Sequence, residues 1–152
     1  MAGVSVEEYK SFIGIRQEYY IPYFERCAAL GGNFSASWNW SAFFFPYAWL
    51  FYRKMYLFGV IALAVSFIFS FIGWFVSGLV VGIAGNFWYY YHATKKIQML
   101  RFSFPNENIE GRLALLGGTN PVVAWIVAIF YFGSLMFLAA SGLALLSLAV
   151  AS

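Results

Sequence analysis

Residues 55–94 read MYLFGVIALAVSFIFSFIGWFVSGLVVGIAGNFWYYYHAT, a run of 40 residues that carries no formal charge. A membrane-spanning helix needs about 20 apolar residues. A single helix over this run would be about 60 Å long at 1.5 Å per residue, twice the thickness of the hydrocarbon layer. The run therefore predicts a transmembrane hairpin of two helices, with a turn near residues 73–78.

Basic residues flank this run on both sides. Arg53 and Lys54 precede it, and Lys95 and Lys96 follow it. Basic flanks are typical of the cytoplasmic side of a membrane, so we expect both ends of the hairpin in the cytoplasm. The even number of crossings in a hairpin agrees with this orientation.

A second run without formal charge covers residues 113–152. Pro121 favours the first position of a helix, and Thr119 or Asn120 before it can cap that helix. The pattern predicts a third transmembrane helix over residues 121–152. A basic cytoplasmic linker would then join this helix to the hairpin.

The path of the third helix stays open, because residues 122–150 exceed the length of one straight span. The linker covers residues 95–120. A single tilted span that begins after it would leave the C-terminus on the periplasmic or extracellular side. A helix that is broken or re-entrant near Gly133 or Gly142 would return the C-terminus to the cytoplasm. The absence of basic residues at the C-terminus favours the single span.

The composition of the whole chain agrees with an all-α membrane protein. Of its 152 residues, 62% are hydrophobic and 10% are charged, and the mean hydropathy is +0.74. Soluble domains carry about 25% charged residues. A soluble domain of this size leaves too much surface exposed to conceal so many apolar side chains.

The N-terminal region, residues 1–37, differs in kind. Ser5 and Glu8 form the S-x-x-E pattern of a capping box, which predicts a helix start. The helix that follows is amphipathic, and we expect Pro22 to interrupt it and residues 31–32 to end it. Residues 1–37 contain three basic and four acidic residues, a net charge of −1. We therefore expect a cytoplasmic helical segment packed on the protein or a partner rather than on anionic lipid.

An aromatic segment, residues 38–54, connects this region to the hairpin. Its apolar part, residues 42–52, is too short to span a bilayer, and Pro46 should break a helix there. Tryptophan and tyrosine favour the level of the lipid head groups, which predicts an interfacial elbow. The residues expected at the membrane interface and near the phosphates of anionic phospholipids are Trp38, Trp40, Trp49, Tyr52, Arg53, Lys54, Tyr56, Trp88, Lys95 and Lys96.

Arg53 and Lys54 have different expected roles at this interface. Arginine can bind a phosphate with two parallel hydrogen bonds, or stack on a ring such as Trp49 or Tyr56, whereas lysine acts as a point charge. We expect Arg53 to orient the elbow and Lys54 to set sidedness. The alternative is that both side chains simply extend to water.

Small residues mark a helix-packing stripe in the second half of the hairpin. Gly78 and Gly82 form a G-x-x-x-G pattern, and Asn86 continues it one turn later. Small residues at this spacing let another backbone approach closely. The partner is expected to be the other arm of the hairpin or, as an alternative, a second chain.

The sequence offers little material for catalysis. It has one histidine, one cysteine and no aspartate, so it predicts no catalytic site, no metal site and no cofactor. We interpret His92 as an interface residue and Cys27 as a small buried residue. The basic residues are too few and too scattered for nucleic-acid binding.

Residues 38–56 resemble a known family. Asn39, Trp40, Trp49 and the run from Tyr52 to Tyr56 resemble the signature of an uncharacterised bacterial inner-membrane family, catalogued as domain of unknown function 2628. A weaker second block lies at the end of the hairpin, and the resemblance covers about residues 38–96. It implies a multi-pass protein of the bacterial inner membrane with a paired-helix core, and it implies no activity.

The most economical functional hypothesis is a non-enzymatic accessory or scaffold subunit that binds another membrane protein. The alternative is a small homo-oligomeric transporter or pore-forming protein. It has less support, because ionisable residues inside spans mark transport pathways and the apolar runs carry no Asp, Glu, Lys or Arg. A polar, water-lined cavity would favour the transporter. A dry apolar groove that opens outward would favour the accessory subunit.

Overall fold

The computed structural model describes residues 3–105 and 107–151, without the side chains of residues 70, 71 and 144–151. Within these ranges all regular structure is helical, as predicted. The helices are α1 (Val6–Ile13), α2 (Gln17–Ala29), α3 (Trp40–Phe44), α4 (Pro46–Tyr52), α5 (Tyr56–Ser103), α6 (Glu110–Leu116) and α7 (Pro121–Ala151).

Helix α5 reverses its direction part-way along its length, although all of its 48 residues have helical backbone hydrogen bonding. The hydroxyl oxygens of Ser66 and Ser77 lie 3.2 Å apart, and the rings of Phe58 and Trp88 stack with centroids 5.4 Å apart. Phe58 and Trp88 would be about 45 Å apart along a straight helix. The chain therefore forms two antiparallel arms.

The turn of this hairpin lies slightly before the predicted position. The described apolar parts of the two arms are Tyr56–Phe69 and Ile72–Ser103. A Cβ atom on Gly73 would lie 2.8 Å from the Cα atom of Ser66, which marks the tight approach at the turn. Gly78, expected within the turn, belongs to the second arm, where it serves close packing.

Helices α3 and α4 form a shorter pair that lies beside the hairpin. The pair breaks at Pro46, as predicted. The ring of Phe43 approaches that of Phe75 near the hairpin turn, with centroids 6.3 Å apart. The chain then returns, so that Trp49 reaches Tyr89 with ring centroids 6.4 Å apart. The segment predicted to be an interfacial elbow is thus a pair of short helices packed against the second arm.

Helices α1 and α2 pack on the far end of α5. Tyr89 is fully buried there, and its ring contacts those of Phe12 and Phe24 at centroid distances of 6.4 and 5.5 Å. Glu8 and Arg101 form an ion pair of 2.5 Å that joins α1 to the last turns of α5. Helix α6 packs against α1 and completes this layer.

The break between α1 and α2 does not lie where the sequence predicts it. The Ser5–Glu8 capping box is present, but Pro22 lies inside α2 and does not interrupt it. The chain turns instead at Gly14 and Arg16, whose φ angles are 67° and 65°. The positive φ angles at these two residues take the chain out of the helical path, and glycine adopts such angles without steric cost.

Helix α7 begins at Pro121, as predicted, and Asn120 caps it by accepting a 3.2 Å hydrogen bond from the Val123 amide. Its first turns lie against α4, and the rings of Tyr47 and Tyr131 are 4.9 Å apart. The rest of α7 extends beyond the other helices, and among the described elements α4 alone packs against it.

Two segments are long and apolar enough to cross a membrane, by length and composition. They are Ile72–Ser103 and Glu110–Leu143. Tyr56–Phe69, in the first arm of the hairpin, is a shorter apolar segment.

Candidate functional site

The glycine stripe is filled by α3. A Cβ atom on Gly78 would lie 2.6 Å from the carbonyl oxygen of Phe43, and one on Gly82 would lie 3.1 Å from the Cβ atom of Phe43. The backbone amide of Asn39 also donates a 2.9 Å hydrogen bond to the carbonyl oxygen of Gly82. The glycine stripe therefore packs against the aromatic segment. The sequence analysis had favoured the other arm of the hairpin as its packing partner.

Asn86, the third residue of the stripe, is the centre of a buried amide network. Its Oδ1 accepts a 2.9 Å hydrogen bond from Asn39, and its Nδ2 donates to Ser37 and Tyr19 at 3.0 and 3.2 Å. Oδ1 of Asn39 accepts from the Ala42 amide and so caps α3. The sequence analysis named Asn39 only as part of the family resemblance and gave it no capping role, although an asparagine directly before an aromatic helix is a capping signal.

Three hydroxyl groups meet in the apolar region near the hairpin turn. Tyr47 bonds to Ser66, which lies 3.2 Å from the hydroxyl of Ser77. All three side chains are buried. Because each hydroxyl has a partner within the group, the cluster ties α4 to both arms of the hairpin.

Arg53 is buried, with 2% of its surface exposed. Its guanidinium carbon lies 4.4 Å from the ring centre of Tyr20 and 5.0 Å from that of Tyr89. It donates to the carbonyl oxygens of Ile13 and Ile15 at 3.4 and 3.3 Å. Residues of α1, α2 and α5 surround the side chain, so Arg53 lies inside the protein and not on its outer surface. The expected contact of Arg53 with lipid phosphates stays a prediction.

The stacking expected for Arg53 does occur, but on rings other than Trp49 and Tyr56. The ring of Tyr52 is the third near it, at 5.5 Å. Nε of Arg53 is buried and has no hydrogen-bond partner among the described residues. The three ion pairs between described residues do not include Arg53. A buried guanidinium thus rests on rings and neutral acceptors alone.

A groove of about 780 Å³ opens beside Arg53, between the α3–α4 pair and the first turns of α7. We call it the α4–α7 groove. Its volume lies within the range of small-molecule sites. Arg16 and Arg53 line it and no carboxylate does. The α7 residues that line it share one helix face: Pro121, Ala124, Trp125, Ala128, Ile129 and Phe132.

The groove has a polar end and an apolar end. The amide of Asn120 donates a 2.8 Å hydrogen bond to the carbonyl oxygen of Tyr52, which places Arg53 near the start of α7. At the other end, the rings of Phe45 and Phe132 are 6.1 Å apart. The groove can therefore accommodate an elongated amphiphile along α7.

The residues expected at the membrane interface divide into three groups. Lipid contact requires an exposed side chain, and burial of Trp49 against Gly85 removes it from the surface. Exposed are Trp38, Trp40, Tyr56 and Lys95; partly buried are Tyr52, Lys54, Trp88 and Lys96; buried are Trp49 and Arg53.

Lys54 joins two helices. Its backbone is left-handed, with φ of 58°, and its Nζ donates a 2.9 Å hydrogen bond to the carbonyl oxygen of Leu115. Lys95 lies over the ring of Tyr91 at 5.4 Å. Lys54 thus makes a hydrogen bond within the protein, in addition to the expected role of its charge in orienting the chain across the membrane.

Among residues 3–105 and 107–151, no three His, Cys, Asp or Glu side chains lie close enough to hold a metal ion. Cys27 is fully buried, and this burial raises the pKa of its thiol. His92 is half-buried, with its ring 6.1 Å from that of Phe12. Both residues take part in packing.

No protein-family model, curated protein or solved structure matches this chain. The resemblance of residues 38–96 to domain of unknown function 2628 therefore stays a prediction.

Proposed function

We propose that this chain is a multi-pass protein of the bacterial inner membrane, with its N-terminus in the cytoplasm and its C-terminus on the periplasmic or extracellular side. Two described segments have the length and composition of a span. The exposed Lys95 and partly buried Lys54 and Lys96 lie at the ends of the hairpin, which supports a cytoplasmic position for those ends.

Within that membrane, we infer that the chain is a non-enzymatic accessory or scaffold subunit that binds another membrane protein through the outer part of α7. The observation that carries this proposal is the exposure of that helix. The most apolar 18-residue window of its segment contains no buried residue. Met136, Phe137 and Leu143 are 73%, 72% and 69% exposed.

Association between helices inside a bilayer is driven by van der Waals packing and interhelical hydrogen bonds. Within this chain, α7 packs against α4 along its first part, as far as Tyr131 and Phe132. Cβ atoms built on Gly133 and Gly142 would meet no atom within 4 Å, so a second helix can approach there. A partner helix along this stretch would supply the missing contacts.

A pore or transporter formed by several copies is the second candidate. The alternative has less support, because the α4–α7 groove is lined mainly by aromatic and other apolar side chains and not by the polar groups of a water-filled path. The buried Ser66, Ser77 and Asn86 bond to other side chains of this chain. A transport path would need such groups to face water.

Site-specific photo-crosslinking in cells tests the proposal. Benzoylphenylalanine replaces Phe137 in α7 and, as a matched control, Phe67 in the first arm of the hairpin. Both phenylalanines lie in apolar helices and are exposed to the same degree, 72% and 73%. We expect a discrete protein adduct from position 137 and none from position 67.

The mass of the adduct decides between the candidates. A heterologous membrane protein that also co-purifies with the wild-type chain supports the accessory role. An adduct of two copies of this chain favours the homo-oligomer. If position 137 crosslinks no better than position 67, α7 faces lipid alone and the proposal is wrong.

A further inference from the structure

The charge of Arg53 is incompletely compensated. Its bonds to Ile13, Ile15 and Tyr89 measure 3.3–3.4 Å, which is longer than the usual 2.7–3.2 Å for such donors. Its Nε has no partner. A buried cation is costly unless a counter-charge and further hydrogen bonds accompany it. The rings around Arg53 meet only part of this requirement.

A second arginine lies at the same groove. Arg16 is exposed and has a left-handed backbone, with φ of 65°. Non-glycine residues rarely adopt this conformation, and such residues are enriched at binding sites. With Arg53 it gives the groove two positive charges and no negative one. The groove is therefore complementary to an anion.

The remainder of the groove is complementary to a hydrocarbon chain. Its wall on α7 runs from Pro121 to Phe132, about 16 Å along the helix axis. Ala124 and Ala128 keep that wall open, and Trp125 and Ile129 supply apolar contact on the same face. Cationic and apolar ends in one groove describe a site for an acidic amphiphile.

We propose, on the basis of the membrane location proposed above, that the α4–α7 groove binds one acidic phospholipid, with its phosphate bound by the exposed Arg16 beside the buried charge of Arg53 and one acyl chain along α7. Phosphate accepts two parallel hydrogen bonds from a guanidinium group. The exposed outer face of α7 makes the groove continuous with the bilayer, where phospholipid is the abundant acidic amphiphile. This lipid differs from bulk lipid, because its acyl chain lies inside the groove.

Native mass spectrometry of the full chain tests this proposal. The protein is released from micelles that contain phosphatidylglycerol, phosphatidylcholine of the same acyl chains, or oleate. Substitution of Arg53 risks unfolding, because three helices contact it, so the variants alter the groove instead. Ala128→Phe fills the groove, Ala140→Phe is its matched control on the exposed part of α7, and Arg16→Gln removes the outer charge.

We expect one retained phosphatidylglycerol on the wild type and on Ala140→Phe. Ala128→Phe should abolish retention, and Arg16→Gln should weaken it about tenfold, the size expected for one charge-assisted hydrogen bond. Equal retention of phosphatidylcholine, preferential retention of oleate, or full retention by Ala128→Phe would each overturn the proposal. Crosslinking at Phe137 reports separately on partner binding, so either proposal can fail alone.

Discussion

Replacing Gly78 by alanine adds a methyl group at the closest approach of α5 to α3. The new Cβ atom would lie 2.6 Å from the carbonyl oxygen of Phe43, whereas ordinary van der Waals contact begins at 3.4 Å. A backbone oxygen cannot rotate away as a flexible side chain can. Either α3 or the second arm of the hairpin must therefore move by several tenths of an ångström.

The expected loss follows from two opposing effects. Overpacking of a close contact costs about 1–3 kcal/mol, whereas alanine improves on glycine in a helix by about 1 kcal/mol. Gly133→Ala is the matched control, because a Cβ atom there meets nothing within 4 Å. It should show only the gain. The two variants should thus differ by about 1–3 kcal/mol in the free energy of unfolding.

Reversible unfolding in mixed micelles, followed by tryptophan fluorescence, measures this difference. Gly82→Ala should fall between the two variants, because its Cβ atom would lie 3.1 Å from a side-chain atom of Phe43. Equal stabilities for Gly78→Ala and Gly133→Ala would refute the packing of α3 on the glycine stripe.

Three further results are expected. Asn86→Ala should lower the free energy of unfolding by about 1–3 kcal/mol, because it leaves the buried amide of Asn39 unpaired; a double-mutant cycle with Asn39→Ala should show coupling, and strict additivity would contradict the network. Burial alone would raise the pKa of Glu8, but hydrogen bonds from Ser5 and the contact with Arg101 outweigh it and lower that pKa. The free energy of unfolding of the wild type should therefore decrease as the pH falls below the ordinary carboxyl pKa of 4.5, and that of Glu8→Gln should decrease less. If the two proteins show the same dependence of unfolding free energy on pH, the ionised Glu8 does not stabilise the fold. Cys27 should react with iodoacetamide at least about tenfold more slowly than a cysteine placed at an exposed site, and rapid labelling of the folded protein would contradict its burial.

Local signals in the sequence predicted much of the helical framework. The capping box at Ser5 and Glu8, the break at Pro46 and the start of α7 at Pro121 all lie where short-range chemistry places them. The run of 40 uncharged residues predicted the reversal of α5, because one straight helix would be too long for a bilayer. Each of these features depends on neighbours within a few residues or on simple length.

The environment of Arg53 and the partner of the glycine stripe could not be predicted in the same way. Tryptophan, tyrosine and arginine beside an apolar run have the composition of a membrane interface, and composition does not reveal that Tyr20 and Tyr89 enclose the arginine. Gly78 and Gly82 predict a close approach but not the identity of Phe43. The position of Arg16 at the groove could not be predicted either, because it depends on a backbone angle that the chain reversal sets.

Labelling with a membrane-impermeant thiol reagent tests most directly whether this chain crosses the membrane with α1 and α2 in the cytoplasm and the end of α7 outside. Single cysteines at Glu18→Cys and Ser152→Cys are introduced into a Cys27→Ala background, and intact cells are compared with permeabilised cells. We expect labelling at position 152 in intact cells, and labelling at position 18 only after permeabilisation. Labelling of both positions in intact cells, of neither, or of position 18 alone would contradict this arrangement.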